Sequence, residues 1–241
     1  MASLPLFVLP MVLFPGEVQE LRVFEPRYRQ MLDDCLLDNQ NFGLVMNNPL
    51  SPSNHWDGPM QFGCEAKIIH HETKGSNHFL KIIGGRRFKI LDVVDPALPP
   101  FDHPMMESLA SDDGYLPDLE TIIQMIPEGS EHSKLYISAE VEYLDSLPEL
   151  THEQQNSLKS IMQNVLSRIG KMMNIDNDTI SEWIEQSPML QVVDENPESV
   201  YSVASLVVHD LYTRQDILQR SDNTESISVL RNHLPDFTEE E

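Results

Sequence analysis

Apolar residues in the first 94 positions occur in short runs that prolines and glycines separate. Short apolar runs with alternating polar positions are typical of β-strands. The pattern predicts strands over residues 4–9, 12–14, 21–24, 42–46, 62–71, 78–83 and 88–94. Gly84 and Gly85 separate the last two and predict a bulge or a sharp bend. Residues 47–61 lack periodicity and are expected to form a loop. Many short strands of this kind favour a small closed or half-closed β barrel.

One helix is predicted among these strands. Pro26 suits the first position of a helix because a missing N–H costs nothing there. Apolar residues then recur at helical spacing on one face: Tyr28, Met31, Leu32, Cys35 and Leu36. The helix is expected to end near residues 39–41 and to pack on the barrel.

Residues 95–134 depart from this pattern. They contain six prolines, nine acidic residues and a single basic residue, Lys134. Such a composition predicts an acidic, proline-rich loop or a partly ordered insertion. Residues 135–144 alternate again and are expected to form the strand that completes the barrel.

The period becomes helical after Pro148. Thr151 and Gln154 have the spacing of a capping box. An apolar stripe follows at helical spacing: Leu158, Ile161, Met162, Val165, Leu166, Ile169 and Met173. Shorter helices are predicted around Ile180, after Pro197, over 214–220 and over 225–234. The chain is thus predicted to be an α+β protein with an antiparallel β barrel and one packed helix over 1–148, a helical bundle over 149–234 and an acidic tail over 235–241.

The formal charge of −23 lies almost entirely in the later part of the chain. Residues 1–94 carry a net −1, and residues 95–241 carry seven basic and 29 acidic residues, a net −22. Binding to nucleic acid or to an anionic membrane requires clustered Lys and Arg, so we expect neither partner. The asymmetry is typical of a solvated acidic face, and it also favours basic protein partners.

Features of secretion and of membrane insertion are missing. No basic residue precedes Arg22, prolines interrupt the apolar start, and no long apolar run follows. Two cysteines, Cys35 and Cys64, build neither a disulfide scaffold nor a four-cysteine zinc site, and we expect both thiols to be buried and inert. We therefore expect a soluble, cytoplasmic protein.

Several short motifs together resemble the N-terminal domain of Lon proteases. The opening motif comprises Leu4-Pro5-Leu6-Phe7, Leu13-Phe14-Pro15-Gly16 and Phe24-Glu25-Pro26-Arg27-Tyr28. Further matching segments are Phe42-Gly43-Leu44-Val45, Gly63-Cys64-Glu65-Ala66, Arg87-Phe88, the run at 139–144, Val203-Ala204 and Arg214-Gln215. The resemblance extends from about residue 4 to about residue 234, and insertion 95–134 is longer than the family's usual link.

The resemblance implies a barrel of the pseudouridine-synthase-and-archaeosine-transglycosylase (PUA) type, followed by a helical bundle. It also implies a role in recognising protein substrates in relation to proteolysis. In Lon proteases this domain precedes an ATPase and a peptidase. We expect a stand-alone domain here, because the 241 residues contain neither of them.

Motifs for catalysis are missing from the sequence. The one Gly-Lys pair, Gly170-Lys171, lacks the other residues of a phosphate-binding P-loop, and no Gly-x-Ser-x-Gly motif occurs. We therefore expect no enzymatic activity and no cofactor. A small enzyme with an unrecognised cleft is the alternative from another class.

Two groups of polar residues have alternative interpretations. His70, His71 and His78 could bind a metal if His70 met His78 across a hairpin, but their loose spacing favours surface or turn histidines and no metal. Lys81, Arg86, Arg87 and Lys89 form a local basic cluster on a barrel type that is shared with RNA-binding modules. Strand alternation would divide these charges between two faces, so RNA binding is the less favoured alternative.

The candidate site residues fall into two sets. Phe101, Met105 and Met106 in the insertion are predicted to contact protein partners, because methionine adapts to varied apolar surfaces. The motif residues are predicted to maintain the fold: Pro15, Gly16, Glu25, Pro26, Arg27, Tyr28, Arg87 and Phe88. Met172 and Met173 are expected to pack in the core. The expected function is non-enzymatic recognition of exposed apolar segments in unfolded or basic proteins.

Overall fold

A computed structural model describes residues 2–53, 56–75, 77–99, 118–187, 190–191, 193, 196 and 198–233. These residues divide into two compact units. We call Met1–Leu13 with Val18–Leu144 the sheet unit, and Phe14–Glu17 with Asp145–Glu241 the helical unit. The α+β prediction is confirmed. None of the helices in the described part of the chain is long and apolar enough to cross a membrane.

The sheet unit contains six strands and two helices in the part of the chain that the structure describes. In chain order these are β1 (Ala2–Leu9), β2 (Val18–Val23), α1 (Pro26–Leu37), β3 (Phe42–Ser53), β4 (Trp56–Lys74), β5 (Asn77–Val94), α2 (Leu119–Ile123) and β6 (Ser138–Tyr143). The strand order is β2-β5-β4-β3-β1-β6, and β6 also pairs with β5. Five strands therefore form a closed circuit of pairings, while β2 is attached to β5 alone among the described strands.

The expectation of a purely antiparallel sheet is wrong at one pair. β1 and β3 are parallel, with Leu6 opposite Gly43 and Leu9 opposite Met46. A parallel pair needs a crossover connection, and β2 with α1 supplies it. The other pairings are antiparallel.

The predicted loop over 47–61 is instead the outer part of the β3–β4 hairpin. Asn47 pairs with Pro59 and Asn48 with Gly58. The register shifts between Asn48 and Ser53, where the two intervening prolines cannot donate ladder hydrogen bonds. Prolines thus interrupt the ladder there without ending the strand. The predicted strand over 12–14 is absent, because these residues are buried without strand pairing.

The two strands predicted over 78–83 and 88–94 are one continuous strand with a bulge. Cys64 pairs with Arg87, whereas Ala66 pairs with Gly84, so β5 contains one extra residue there. A Cβ at Gly85 would lie 3.1 Å from the Glu65 Oε2 atom. The glycine therefore permits a close approach of the two strands at the bulge.

Phe88 lies at the centre of the sheet unit's apolar core. It is fully buried with apolar residues of four strands and the segment before β6: Leu4, Leu6, Val45, Ile90, Ile137, Ala139 and Val141. A Cβ at either Gly43 or Gly63 would lie 2.6 Å from the Phe88 Cζ atom. Two glycines on neighbouring strands therefore make the space that this ring fills.

The described end of the insertion is ordered by α1 and α2. Ile122 of α2 is fully buried against Leu98 and Leu135. The Asp34 carboxylate of α1 accepts hydrogen bonds at 2.7 Å from both Lys134 Nζ and the Tyr136 hydroxyl. This part of the chain has its own small apolar cluster and a polar attachment to α1.

The helical unit contains five helices in the described residues. They are α3 (His152–Met172), α4 (Asn177–Glu185), α5 (Glu198–Val207), α6 (Leu211–Gln219) and α7 (Asn223–His233). The predicted capping box is confirmed: Thr151 accepts from the Gln154 N–H, and the Gln154 side chain accepts from the Thr151 N–H. The buried face of α3 is formed by Leu158, Ile161, Met162, Leu166 and Gly170.

Candidate protein-binding surface

The residues that begin α1 attach this helix to the sheet. Pro26 occupies the first helical turn after Glu25. The Arg27 guanidinium lies 2.9 Å from the Glu25 carboxylate and 4.7 Å from the centre of the Tyr28 ring. The Tyr28 hydroxyl donates a hydrogen bond to the Val8 carbonyl oxygen at 3.0 Å, and burial raises its pKa. These contacts favour a structural role for the motif.

The Pro15-Gly16 turn belongs to the helical unit. Gly16 has a φ of +74°, and a Cβ there would lie 2.9 Å from the Glu198 Oε2 atom. Glu17 accepts hydrogen bonds at 2.7 Å on both carboxylate oxygens from Arg214 Nη2. The Arg214 guanidinium lies 4.5 Å from the centre of the Phe14 ring, which stacks on Tyr201. Two motifs from opposite ends of the chain therefore meet in one buried cluster.

The basic cluster predicted on β5 is divided by the structure. Arg87 is buried, whereas Arg86 is exposed and packs 3.6 Å from the centre of the Tyr143 ring. Arg86 also lies 3.5 Å from the Glu65 carboxylate, and Lys81 lies 3.7 Å from Glu20. Burial, with the hydrogen bond to Glu65, raises the pKa of Tyr143 to about 12. Arg87 is therefore withdrawn from the surface, and carboxylates lie beside Arg86 and Lys81.

The expectation that Met172 and Met173 pack in the core is wrong. Their exposed fractions are 74% and 66%, and Ile169, one turn earlier, is 41% exposed. We call Ile169, Met172 and Met173 the α3 tip. The buried face follows positions 158, 162, 166 and 170, and Ile180 of α4 packs against Gly170 at the end of this face.

The α3 tip is held on an ordered turn. α3 ends with hydrogen bonds at 3.0 Å from the Ile175 N–H to the Gly170 carbonyl and from the Asn174 N–H to the Lys171 carbonyl. Asn174 has a φ of 56°, so these bonds form a Schellman motif with asparagine in the left-handed position. Asp176 then caps α4 by accepting from the Thr179 N–H at 2.9 Å. The backbone beneath the methionines is therefore fixed at both sides of the turn.

Gly170 sets the position of α4 beside the tip. A Cβ at Gly170 would lie 2.6 Å from the Ile180 Cγ1 atom. Ile180 is buried by this contact, whereas Trp183, one turn later on α4, is 39% exposed. A glycine at this helix crossing lets the two helices approach closely, and apolar side chains beside it stay exposed.

Negative charge surrounds the α3 tip in the sequence. Between residues 169 and 187, Lys171 is the one basic residue, against Asp176, Asp178, Glu182 and Glu185. The helical unit as a whole has six Lys and Arg and 19 Asp and Glu, a net −13. The α3 tip therefore lies in a strongly negative part of the sequence.

Comparison with known proteins identifies the family. The family model of the ATP-dependent protease La (LON) substrate-binding domain matches residues 3–234. The chain belongs to this family. A substrate-recognition role follows from this membership, and protein substrates are its partners.

Solved structures show the same fold. The Lon N-terminal domain protein from Xanthomonas campestris is 21% identical, with a TM-score of 0.60, and the match covers 98% of this chain and 100% of that one. The N-terminal domain of Mycobacterium avium complex Lon protease is 15% identical, with a TM-score of 0.57 and coverages of 95% and 96%. No curated protein sequence matches the chain significantly.

In this Lon substrate-binding domain, the histidine arrangement differs from the one considered from the sequence. His71, and not His70, meets His78, because strand alternation places His70 on the other face. The pKa of the His78 imidazole lies below its ordinary value, mainly because the ring is buried. The charges of His71 and Arg29 also lower this pKa, whereas the charge of Asp33 acts in the opposite direction. Within the described residues, no group of three or more His, Cys, Asp and Glu side chains could hold a metal ion.

Both cysteines are buried, and neither forms a disulfide bond. Burial, together with Asp34 and Asp38, raises the pKa of the Cys35 thiol to about 12. Cys64 lies 3.5 Å from the carbonyl oxygens of Glu65 and Gly85. A nucleophilic role is therefore unsupported for these two thiols.

The predicted contact residues Phe101, Met105 and Met106 lie outside the described residues. Their role in binding remains a prediction. Sequence reasoning missed the α3 tip because it extended the apolar stripe to Met173. The available signal was Gly170, which continues the four-residue spacing of the buried face and marks where a neighbouring helix can approach.

Proposed function

We propose that this domain recognises exposed apolar segments of substrate proteins through the α3 tip. The supporting observation is the exposure of three apolar side chains at the end of α3, beside a turn whose backbone is hydrogen-bonded on both sides. Contiguous apolar side chains in solvent favour a partner, because their burial stabilises a complex. A few such anchors dominate the affinity of most protein interfaces.

Methionine suits recognition of varied sequences. Its unbranched side chain adapts to different apolar shapes, and its thioether is polarizable. The ordered turn limits the entropy lost by the backbone on binding, while the side chains remain adaptable. Such a surface recognises exposed apolar segments whatever their exact sequence, which suits a substrate-recognition domain.

We also propose that preferred substrates carry basic residues beside the apolar segment. The net −13 of the helical unit favours encounter with positive chains. Salt screens this attraction beyond a Debye length of about 8 Å at physiological ionic strength. The proposed activity is binding without catalysis, in agreement with the missing P-loop and nucleophile motifs.

The test compares a Met172→Gln, Met173→Gln double variant with the unmodified domain. Clients are two unfolded proteins of matched hydrophobicity and opposite charge, and stopped-flow fluorescence measures both rates across a salt series. Loss of two central anchors is expected to weaken binding about tenfold, mainly through faster dissociation. Association with the basic client should slow as salt rises, with little change for the acidic client.

Two further variants make the test specific. Leu37→Gln is the matched control, because Leu37 in the sheet unit is 83% exposed. Met172→Leu with Met173→Leu retains apolar area and should retain binding. Equal affinity of the glutamine variant and the unmodified domain would overturn the proposed surface. Equal association rates for the two clients would contradict the charge preference alone.

A further inference from the structure

The α3 tip carries the two most accessible methionines in the part of the chain that the structure describes. Met172 and Met173 are 74% and 66% exposed, and Met125 follows at 37%. Met31 of the sheet unit and Met162 of the helical unit are fully buried. An oxidant in solution therefore reaches the thioether sulfurs of the α3 tip, while burial protects those of the two cores.

Oxidation of a thioether by a peroxide needs no further reactant. A sulfur lone pair attacks one oxygen of hydrogen peroxide, and the sulfur–oxygen bond forms as the oxygen–oxygen bond breaks. The proton on the transferred oxygen passes to the departing hydroxide, which leaves as water. The sulfur loses two electrons and the peroxide gains them. The product is methionine sulfoxide, which is polar where methionine is apolar.

We propose that Met172 and Met173 are modification sites at which hydrogen peroxide turns off the recognition of apolar segments. This inference rests on the proposed function of the α3 tip. The modification gives two apolar anchors an oxygen that accepts hydrogen bonds from water, and burial of that oxygen against an apolar segment is unfavourable. Sulfoxide reductases reverse the reaction, so the surface is recovered without new synthesis of the protein.

The place of the two methionines separates their oxidation from the stability of the fold. The buried face of α3 contains Leu158, Met162 and Leu166, and neither exposed methionine belongs to it. The turn after α3 is held by backbone hydrogen bonds, including the one from the Ile175 N–H to the Gly170 carbonyl oxygen. Sulfoxides at positions 172 and 173 therefore change the surface and leave the packing beneath it unaltered.

The charge around the α3 tip favours an uncharged oxidant. The helical unit has a net charge of −13, and Asp176 and Asp178 follow the tip closely in the sequence. A negative potential of this kind repels anionic oxidants. Hydrogen peroxide is neutral at physiological pH and approaches the sulfurs without this repulsion.

The experiment treats the full chain with hydrogen peroxide, removes the excess with catalase and locates the sulfoxides by tandem mass spectrometry. We expect oxidation at positions 172 and 173 while Met31 and Met162 stay unmodified and the circular dichroism stays native. Affinity for an unfolded basic client that lacks methionine and cysteine should fall about tenfold, as expected for the loss of two anchors. Methionine sulfoxide reductases A and B together should restore it, because each reduces one epimer.

The double variant Met172→Leu, Met173→Leu is the matched control, since it retains apolar area and has no thioether at either position. Its affinity for the client should survive the peroxide treatment. Loss of affinity in this variant as well would show that oxidation acts elsewhere, and would overturn the inference. Unchanged affinity of the domain with sulfoxide at both positions, or earlier oxidation of Met31 and Met162, would overturn it too.

The Met172→Gln, Met173→Gln variant distinguishes failure of this inference from failure of the proposed function. If the glutamine variant binds weakly and the sulfoxide form binds normally, the α3 tip remains the binding surface and its control by peroxide is wrong. If both bind normally, the α3 tip is not the binding surface, and the two proposals fail together.

Discussion

The sheet unit and the helical unit differ in how their apolar patterns relate to burial. In β5, alternate residues His78, Leu80 and Ile82 are buried, and the intervening Phe79 and Lys81 are exposed. In α3, by contrast, Ile169 and Met173 continue an apolar stripe and are nevertheless exposed. Alternation fixes the buried face of a strand once the sheet has a core.

The difference shows that an apolar position on a helix is buried only where a neighbouring element covers it. The stripe on α3 is wider than the face that α4 contacts at Gly170. The uncovered positions form the α3 tip. A substrate-binding domain can therefore present an apolar surface in the helical unit without disturbing the closely packed core of the sheet unit.

The largest effect is expected from Phe88→Ala in the sheet unit. The ring is fully buried between two glycines that cannot fill the cavity left behind. We expect a loss of about 3–5 kcal/mol in the free energy of unfolding. Urea titration followed by circular dichroism measures it, with the 59%-exposed Phe24 changed to Ala as the control. A loss below about 1 kcal/mol would show that the core is not packed as described.

A smaller loss is expected from Arg214→Met in the helical unit. The Arg214 and Glu17 side chains are 10% and 11% exposed, so the substitution leaves a buried carboxylate without this guanidinium. Removal of one partner from such a pair costs about 3 kcal/mol. Arg220→Met, which removes a more exposed pair with Asp216, should cost at most about 1 kcal/mol. If both variants lost similar amounts of unfolding free energy, burial of the Arg214–Glu17 pair would not be what makes it stabilising.

Gly170→Ala tests the helix crossing that leaves the α3 tip uncovered. The new methyl group would meet Ile180, and overpacking costs about 1–3 kcal/mol, reduced by the better helix propensity of alanine. In an Ile180→Ala background the same substitution should cost less, which a double-mutant cycle from thermal unfolding measures. Asn164→Ala, on the exposed side of α3, is the control. Additive losses at Gly170 and Ile180 would argue against the close crossing.

The smallest effect concerns the cap that orders the turn after the tip. Hydrogen bonds from Thr179 hold the pKa of Asp176 below its ordinary value of 3.8. A depressed pKa contributes stability that is complete above the ordinary value and is lost as the pH falls through the folded-state value. The difference in melting temperature between the domain and its Asp176→Asn variant should therefore shrink between pH 5 and pH 3, as calorimetry measures. A difference that is independent of pH would contradict this account.

Local chemistry explains which parts of the fold could be predicted from the sequence. Pro26 and Thr151 mark helix starts through their own backbone and side-chain preferences, and both positions agree with the structure. The outer part of the β3–β4 hairpin is not predicted from the sequence, because proline usually ends a strand. Pro49 and Pro52 lie between Asn48 and Ser53, where the strand pairing shifts register and the ladder of hydrogen bonds is already interrupted.

Contacts between distant residues could not be predicted in this way. The Glu17–Arg214 pair joins residues 197 positions apart, and neither position shows its partner in a local pattern. The His71–His78 contact depends on the strand register, which a one-residue shift would have changed to the His70 arrangement considered from the sequence. Exposure of the α3 tip depends on where α4 packs, and this is a property of the tertiary structure.

The most direct test of the proposed surface is site-specific photo-crosslinking to an unfolded basic client. A photoreactive residue is placed at Met173 or, as the control, at Leu37, which is 83% exposed in the sheet unit. We expect the client to crosslink at Met173 and not at Leu37, and an excess of unlabelled client to suppress the product. Equal crosslinking at the two positions, or none at Met173 while binding is intact, would contradict the assignment of substrate recognition to the α3 tip.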